Sequence, residues 1–205
     1  MVVPELFCWT KVGTEAGEPV PSIVARKEGE RAASDGLFLW GIGNSVWPSL
    51  AALVREEARP TVVFSPMLSA PAGHDVAPGR VVRWTSAEGA RGERFLLPPS
   101  AVVTSRAGAG WRAGKHFALV CHSGVSLDWD DEARSSARID ESSLRNLRSG
   151  ARLGASQVTS VVKRVAPSEG GRYSVALRAQ LVPPYLVVLS EAEVVAAPDL
   201  LDRSA

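Results

Sequence analysis

Cysteine, histidine, methionine and tyrosine are all scarce in this chain of 205 residues, with two Cys, three His, two Met and two Tyr. Two cysteines are too few for a disulfide framework. Cys8 and Cys121 each sit in an apolar run, which reads as reduced, buried thiols. His74, His116 and His122 are dispersed and lack the spacing of a zinc site. No apolar run approaches the roughly 20 residues of a membrane span. The opening MVVPELFCWTK has no basic stretch followed by an apolar one, as a secretory leader would. These absences predict a cytoplasmic protein with no membrane partner, no metal and no cofactor. Repeats and low-complexity tracts are lacking too. The net charge is only +1, which argues against a globally basic nucleic-acid binder.

What is present is a chain 45% hydrophobic, enough for a sizeable core. Its abundant Ala, Arg, Gly and Val suit a GC-rich bacterial genome. The neutral total hides local imbalance. Residues 1–60 hold eight acids against six Lys/Arg, while 80–115 and 134–164 each hold seven bases against two acids. Six tryptophans stand out beside two tyrosines.

The pattern predicts strands at Leu6–Thr10 and Leu37–Trp40 and a helix from Ser22 to Ala33, with Ile23 on an apolar face and Lys27, Glu30 and Arg31 on a charged one. A second helix starts near Pro48, whose missing N–H suits a first turn. Leu50, Leu53 and Val54 form its core stripe. Short β-like runs follow at Thr61–Ser65, Arg80–Trp84, Arg94–Leu97, Ala101–Thr104 and Phe117–Cys121. Residues 124–138 read as a polar link and Ser142–Arg148 as a short helix capped by Gly150. Three more strands are expected at Val158–Ala166, Tyr173–Leu181 and Tyr185–Leu189. Gly170-Gly171 makes a turn between the first two, and Pro183-Pro184 a bend or edge before the last. The fold class is therefore α+β, a small mixed or antiparallel β-barrel with two N-terminal helices and a mostly β C-terminal extension. Residues 1–127 form its main domain. Residues 128–205 form an extension of it or a small second domain.

Leu37 to Trp40 runs into Gly41-Ile42-Gly43-Asn44-Ser45 and then Trp47. A dinucleotide loop needs a third glycine where Val46 stands, and a P-loop needs a lysine that is absent. The corner is therefore either structural or the lip of a pocket for a flat ligand. Trp9, Trp40 and Trp47 are rings on which a base would stack, and Asn44 and Ser45 carry groups that would read its edge. Lys11, Arg80 and Arg83 are candidates to meet phosphates, as is the basic segment from Arg134 to Arg164. Cys121-His122-Ser123 suggests a nucleophile, but neighbours on a strand point to opposite faces. Asp128-Trp129-Asp130-Asp131-Glu132 reads as a solvated acidic loop, without the spacing of a calcium loop.

The order Trp9-Thr10-Lys11, helix, Trp40-Gly41-Ile42-Gly43-Asn44, apolar helix and Val62-Val63-Phe64-Ser65 resembles the EVE branch of the PUA-like superfamily across residues 5–70. The resemblance implies a PUA-like barrel holding a modified base in an aromatic pocket. It places Lys11 on the family lysine, and Gly41 and Asn44 on the family Gly and Asn. Val12-Gly13-Thr14 stands where the family has Ser-Glu-Pro, Gly43 where it has Arg, and Phe64-Ser65-Pro66 lacks its Tyr-His.

The first reading is a binding module for nucleic acid or a nucleotide, without catalytic residues, in which replacing Trp40 abolishes binding and spares the fold. The alternatives are a small hydrolase or nucleotide-processing enzyme using His122 or residues 128–132, and a protein-interaction subunit.

Overall fold

The computed structural model describes residues 4–13, 20–43, 45–66, 80–89, 92–96, 116–154, 158–166 and 173–196. The expected strand Ala101–Thr104, the Gly170-Gly171 turn, and Asn44, His74 and Trp111 lie outside them.

Alternating strands and helices open the fold: β1 (Leu6–Val12), α1 (Val20–Ala33), β2 (Leu37–Ile42), α2 (Trp47–Glu56) and β3 (Thr61–Pro66). β1 and β3 are parallel neighbours, with Trp9 opposite Val63 and Lys11 opposite Ser65. There follow β4 (Arg80–Glu88), β5 (Arg94–Leu96), β6 (His116–His122), β7 (Ser136–Asp140), β8 (Leu144–Asn146), β9 (Thr159–Arg164) and β10 (Tyr173–Ala196). All ten join one mixed sheet in the main order β2-β6-β10-β3-β1-β9-β8, with β7 and β4 paired to β10 and β5 to β4.

The α+β class holds, but the sheet does not close into the expected barrel. Its path ends at β2 and β8, which do not pair with each other. The outer edge of β2 is covered from α1, where the Glu30 carboxylate accepts the Leu39 N–H. Glu30 is held in turn by Lys27 Nζ at 2.8 and 2.9 Å. Lys27 and Glu30 are therefore buried, not on the solvated helix face that their spacing suggested. Covering an edge in this way blocks further strand pairing.

β10 organises the C-terminal half. Its 24 residues absorb both strands expected there. The register to β6 shifts between Leu181 and Leu186, the stretch that holds Pro183-Pro184. Proline cannot donate to a ladder, so the interruption falls where the sequence placed a bend. Two local expectations fail. The tail of the supposed polar link is β7, whose residues pair with Tyr173–Leu177. The supposed helix Ser142–Arg148 is a 3-10 turn, Glu141–Ser143, followed by β8. The Asp140 side chain caps that turn at the Ser142 N–H. Leu144 is then extended and fully buried beside Val162 and Ile139, and this packing overrides helix propensity.

The sheet separates the apolar residues by strand parity. Cys8, Val12, Phe38, Trp40, Val62 and Phe64 face the helices and pack with Leu50 and Leu53 of α2. Phe7, Trp9, Val63, Ile139, Leu144 and Val162 form a cluster on the opposite face. A further cluster joins Leu39, Trp84, Ala118, Val120 and Leu189. Both cysteines are free and buried, and burial pushes the Cys8 thiol up to about 12.

Candidate functional site

The residues singled out in the sequence do not converge on one pocket. Trp40 is 8% exposed and packs in the helix-face core, its ring 4.3 Å from that of Phe64. Trp9 has no exposed surface and lies on the other face of the sheet. Lys11, two residues along β1, shares that face and sets its ammonium 5.4 Å from the centre of the Trp9 ring. Arg80 and Arg83 belong to β4, which pairs with β10 and β5 and has no pairing with β1. Asn44 is outside the described residues.

Ser45 and Trp47 come together at the start of α2. There the corner between β2 and α2 meets β9 and the turn that follows β8. A cleft of about 180 Å³ opens between them, lined by Ser45, Pro48 and Ser49 on one side and by Asn146, Arg148 and Thr159 on the other. Trp47, the first residue of α2, is 37% exposed beside it, and Val158, next to Thr159, is 56% exposed. The lining is mostly polar, and the exposed Trp47 and Val158 are next in sequence to lining residues. That combination suits a flat heteroaromatic ligand, which needs both stacking and edge contacts.

Local hydrogen bonding fixes this geometry. Thr159 Oγ1 lies 2.9 Å from Thr10 Oγ1 across the β1–β9 pair. Asn146 Oδ1 accepts the N–H groups of Arg148 and Ser149 at 3.0 and 3.1 Å, which leaves its side-chain NH₂ to face outward chemistry. The start of α2 is no phosphate cradle. The N–H groups of Ser49 and Leu50 both bond Val46 O, the Trp47 N–H reaches Ser45 Oγ at 3.3 Å, and Pro48 has none.

The basic segment divides in two. Arg134 and Arg138 are engaged by Asp131 and Glu132, at 3.9 and 3.0 Å. Arg145, Arg148, Arg152, Lys163 and Arg164 instead surround β8 and β9, and none has a carboxylate within 4.0 Å among the described residues. Arg145 donates to the carbonyls of Ser142 and Leu144, and so keeps its charge unneutralised. The β8–β9 edge beside the cleft is therefore a cationic ledge. Net charge could not reveal it, because the balancing acids lie elsewhere in the chain.

The enzymatic alternatives find little support in the geometry. Cys121 is buried in the helix-face core and its thiol is raised well above its ordinary value by burial. His122 lies against the Asp35-Gly36 turn, where a Cβ on Gly36 would stand 2.6 Å from His122 Nε2. Ser123 Oγ donates to Val125 O at 2.6 Å. In the acidic stretch, Asp128 and Asp131 accept N–H groups of Asp130 and Arg134 and so shape a turn. Among the described residues, no three His, Cys, Asp or Glu side chains are grouped to hold a metal. No described helix is long and apolar enough to cross a membrane.

Sequence reasoning offered Arg148 only as part of the basic segment and did not single out Thr159 or Val158. Their approach to Ser45 depends on β9 pairing with β1, and no local motif encodes that pairing. No protein-family profile matches the chain, and no curated protein or solved structure matches it.

Proposed function

We propose that this protein binds a nucleic-acid strand, seating one base in the cleft at the start of α2 and its flanking phosphates on the β8–β9 ledge. The observation that carries this reading is a polar cleft lined by Ser45, Asn146, Arg148 and Thr159, next in sequence to the exposed Trp47 and near basic residues that have no carboxylate within 4.0 Å among the described residues. Trp47 offers its ring for stacking, worth about 1–3 kcal/mol per base. Ser45, Ser49 and Thr159 offer hydroxyls and Asn146 an NH₂ to the base edge. Arg148, Arg152 and Lys163 meet phosphates, which position a strand without reading its sequence. Trp40 supports this site only from beneath, as part of the core on which α2 rests.

The test is a fluorescence titration with short single- and double-stranded DNA and RNA at two salt concentrations. The expected result is saturable quenching, lost in Trp47→Phe, with affinity falling as salt rises. Each ledge cation removed should lower the salt slope by about 0.7 for a single strand. Binding with no salt dependence, or none at all, would overturn the reading.

A further inference from the structure

The cleft at the start of α2 presents more donors than acceptors. No Asp or Glu lines it. Among its backbone carbonyls, Val46 O accepts the N–H groups of Ser49 and Leu50, Asn146 O that of Gly150, and Val161 O that of Leu147. Asn146 Oδ1 accepts two more, from Arg148 and Ser149 at 3.0 and 3.1 Å. Because both of those partners are N–H donors, the amide sits only one way round, and its NH₂ is the end left over. Ser45 Oγ accepts the Trp47 N–H at 3.3 Å, which leaves its O–H to donate. Arg148 carries donors only and has no carboxylate within 4.0 Å among the described residues.

We infer that the cleft selects guanine and reads the edge that carries O6 and N7, an inference that rests on the nucleic-acid reading above. That edge sets two acceptors side by side. Adenine instead sets an N6 amino donor beside N7, and thymine a methyl group beside O4. Asparagine ordinarily reads adenine with both ends of its amide. Here Oδ1 is held by the turn, so adenine would bring its amino group against an NH₂. Cytosine carries acceptors next to an N4 amino group, and its single ring covers less of an indole than a purine does. The indole in question is Trp47, which stands between the lining residues Val46 and Pro48. A bare phosphate finds no amide cradle here, because the N–H groups at the start of α2 turn to Val46 O and Ser45 Oγ and Pro48 has none. Asn146 and Ser45 are thus the residues that read the base. Arg148 serves a flanking phosphate, and its charge favours a carbonyl oxygen over an amino group in the same cleft.

The experiment measures the anisotropy of short, dye-labelled thymidine strands as full-length protein is added. One central position carries guanine, hypoxanthine, 7-deazaguanine, adenine, cytosine or no base. Guanine and hypoxanthine, which share O6 and N7, should bind alike and most tightly. The strands with 7-deazaguanine, which lacks N7, and with adenine should bind about tenfold more weakly. Asn146→Asp keeps an oxygen for the turn and removes the NH₂, so guanine should fall to parity with 7-deazaguanine. The comparison of those two bases on the wild-type protein needs no variant to fold. Strands that bind alike whatever the central base, the abasic one included, would overturn the inference and leave nucleic-acid binding standing. So would tighter binding of adenine or cytosine. If no strand binds, the nucleic-acid reading falls and this inference with it.

Discussion

The two faces of the sheet bury aromatic residues equally well and differ in what they do with polar atoms. On the helix face, Phe38, Trp40 and Phe64 stack in an apolar core. The charges buried beneath α1 are paired, Lys27 with Glu30, and Glu30 also holds the Leu39 N–H. The opposite face buries Trp9 along with Ser65 and Ser174, where Ser65 Oγ donates to Glu141 Oε1 and Trp9 Nε1 has no hydrogen-bond partner among the described residues. Burial alone would rank Trp9 and Trp40 alike as core. Their polar neighbours separate them, since Trp40 packs on Phe64 whereas Trp9 lies on the face that also buries Ser65 and Ser174.

The largest expected effects fall on the satisfied face. Trp40→Ala should cost about 3–5 kcal/mol in urea unfolding, because it opens a cavity against Phe64. Retention of full stability would show that the ring is not core. Glu30→Ala should cost a similar 3–5 kcal/mol or so by leaving Lys27 buried and unpaired. Replacing both, as Lys27→Met with Glu30→Leu, should be far milder.

The same pair predicts a pH dependence. Burial pushes the Glu30 carboxyl up to about 7 and the Lys27 ammonium down to about 8, against the attraction of each for the other. Folded protein holds the Glu30 proton more tightly than unfolded chain. The stability from that group is therefore present below the ordinary 4.5 and lost as pH rises through about 7. Lys27 behaves oppositely, releasing its proton earlier when folded, so its contribution recovers between about 8 and 10.5. Wild-type stability relative to the double variant should pass through a minimum near neutral pH. The fall from the acid side should be on the order of 3 kcal/mol. Unfolding free energies at pH 5, 7.5 and 10 decide this, and a flat difference would show that the pair does not titrate in that range.

Smaller effects belong to Trp47 and Trp9. Trp47→Ala should leave stability within about 0.5 kcal/mol and weaken oligonucleotide binding by about 1–3 kcal/mol. If it changed stability and spared binding, the contrast between Trp47 and Trp40 would collapse. Trp9→Phe should have the smallest cost to stability, under about 1.5 kcal/mol, because it trades ring volume for removal of an unsatisfied N–H. A large loss in thermal melts would mean that the indole nitrogen is already bonded.

The early elements were legible because each is a local pattern. Pro48 with Leu50 and Leu53 marks α2, and the apolar runs around Cys8, Trp40 and Val63 mark β1, β2 and β3. Lys27 and Glu30 misled, since a polar spacing on a helix looks the same whether it meets water or an open strand edge. The open sheet was hidden too, because no local pattern shows that β2 and β8 end the path or that Glu30 takes up the Leu39 N–H. Residues 142–148 misled because Leu144 is placed by Val162 and Ile139, which no local window contains. Ser45 and Trp47 were legible as neighbours at one corner, where the Trp47 N–H reaches Ser45 Oγ. Trp9 and Trp40 belong to opposite faces because of register accumulated through β3, β10 and β6, and strand parity cannot be carried across such a path from sequence.

One consequence of β10 concerns time. Its partners β3, β4, β6 and β7 all precede it in the chain. Until Tyr173 onward has been synthesised, those four strands lack the neighbour that joins them, and their edges stand open. Contacts spanning so much sequence slow folding and prolong exposure of unpaired strands. At roughly 5–20 residues per second, the nascent chain waits several seconds in that condition. Its yield should therefore respond to expression temperature and to chaperones that shield strand edges more than its finished stability would suggest.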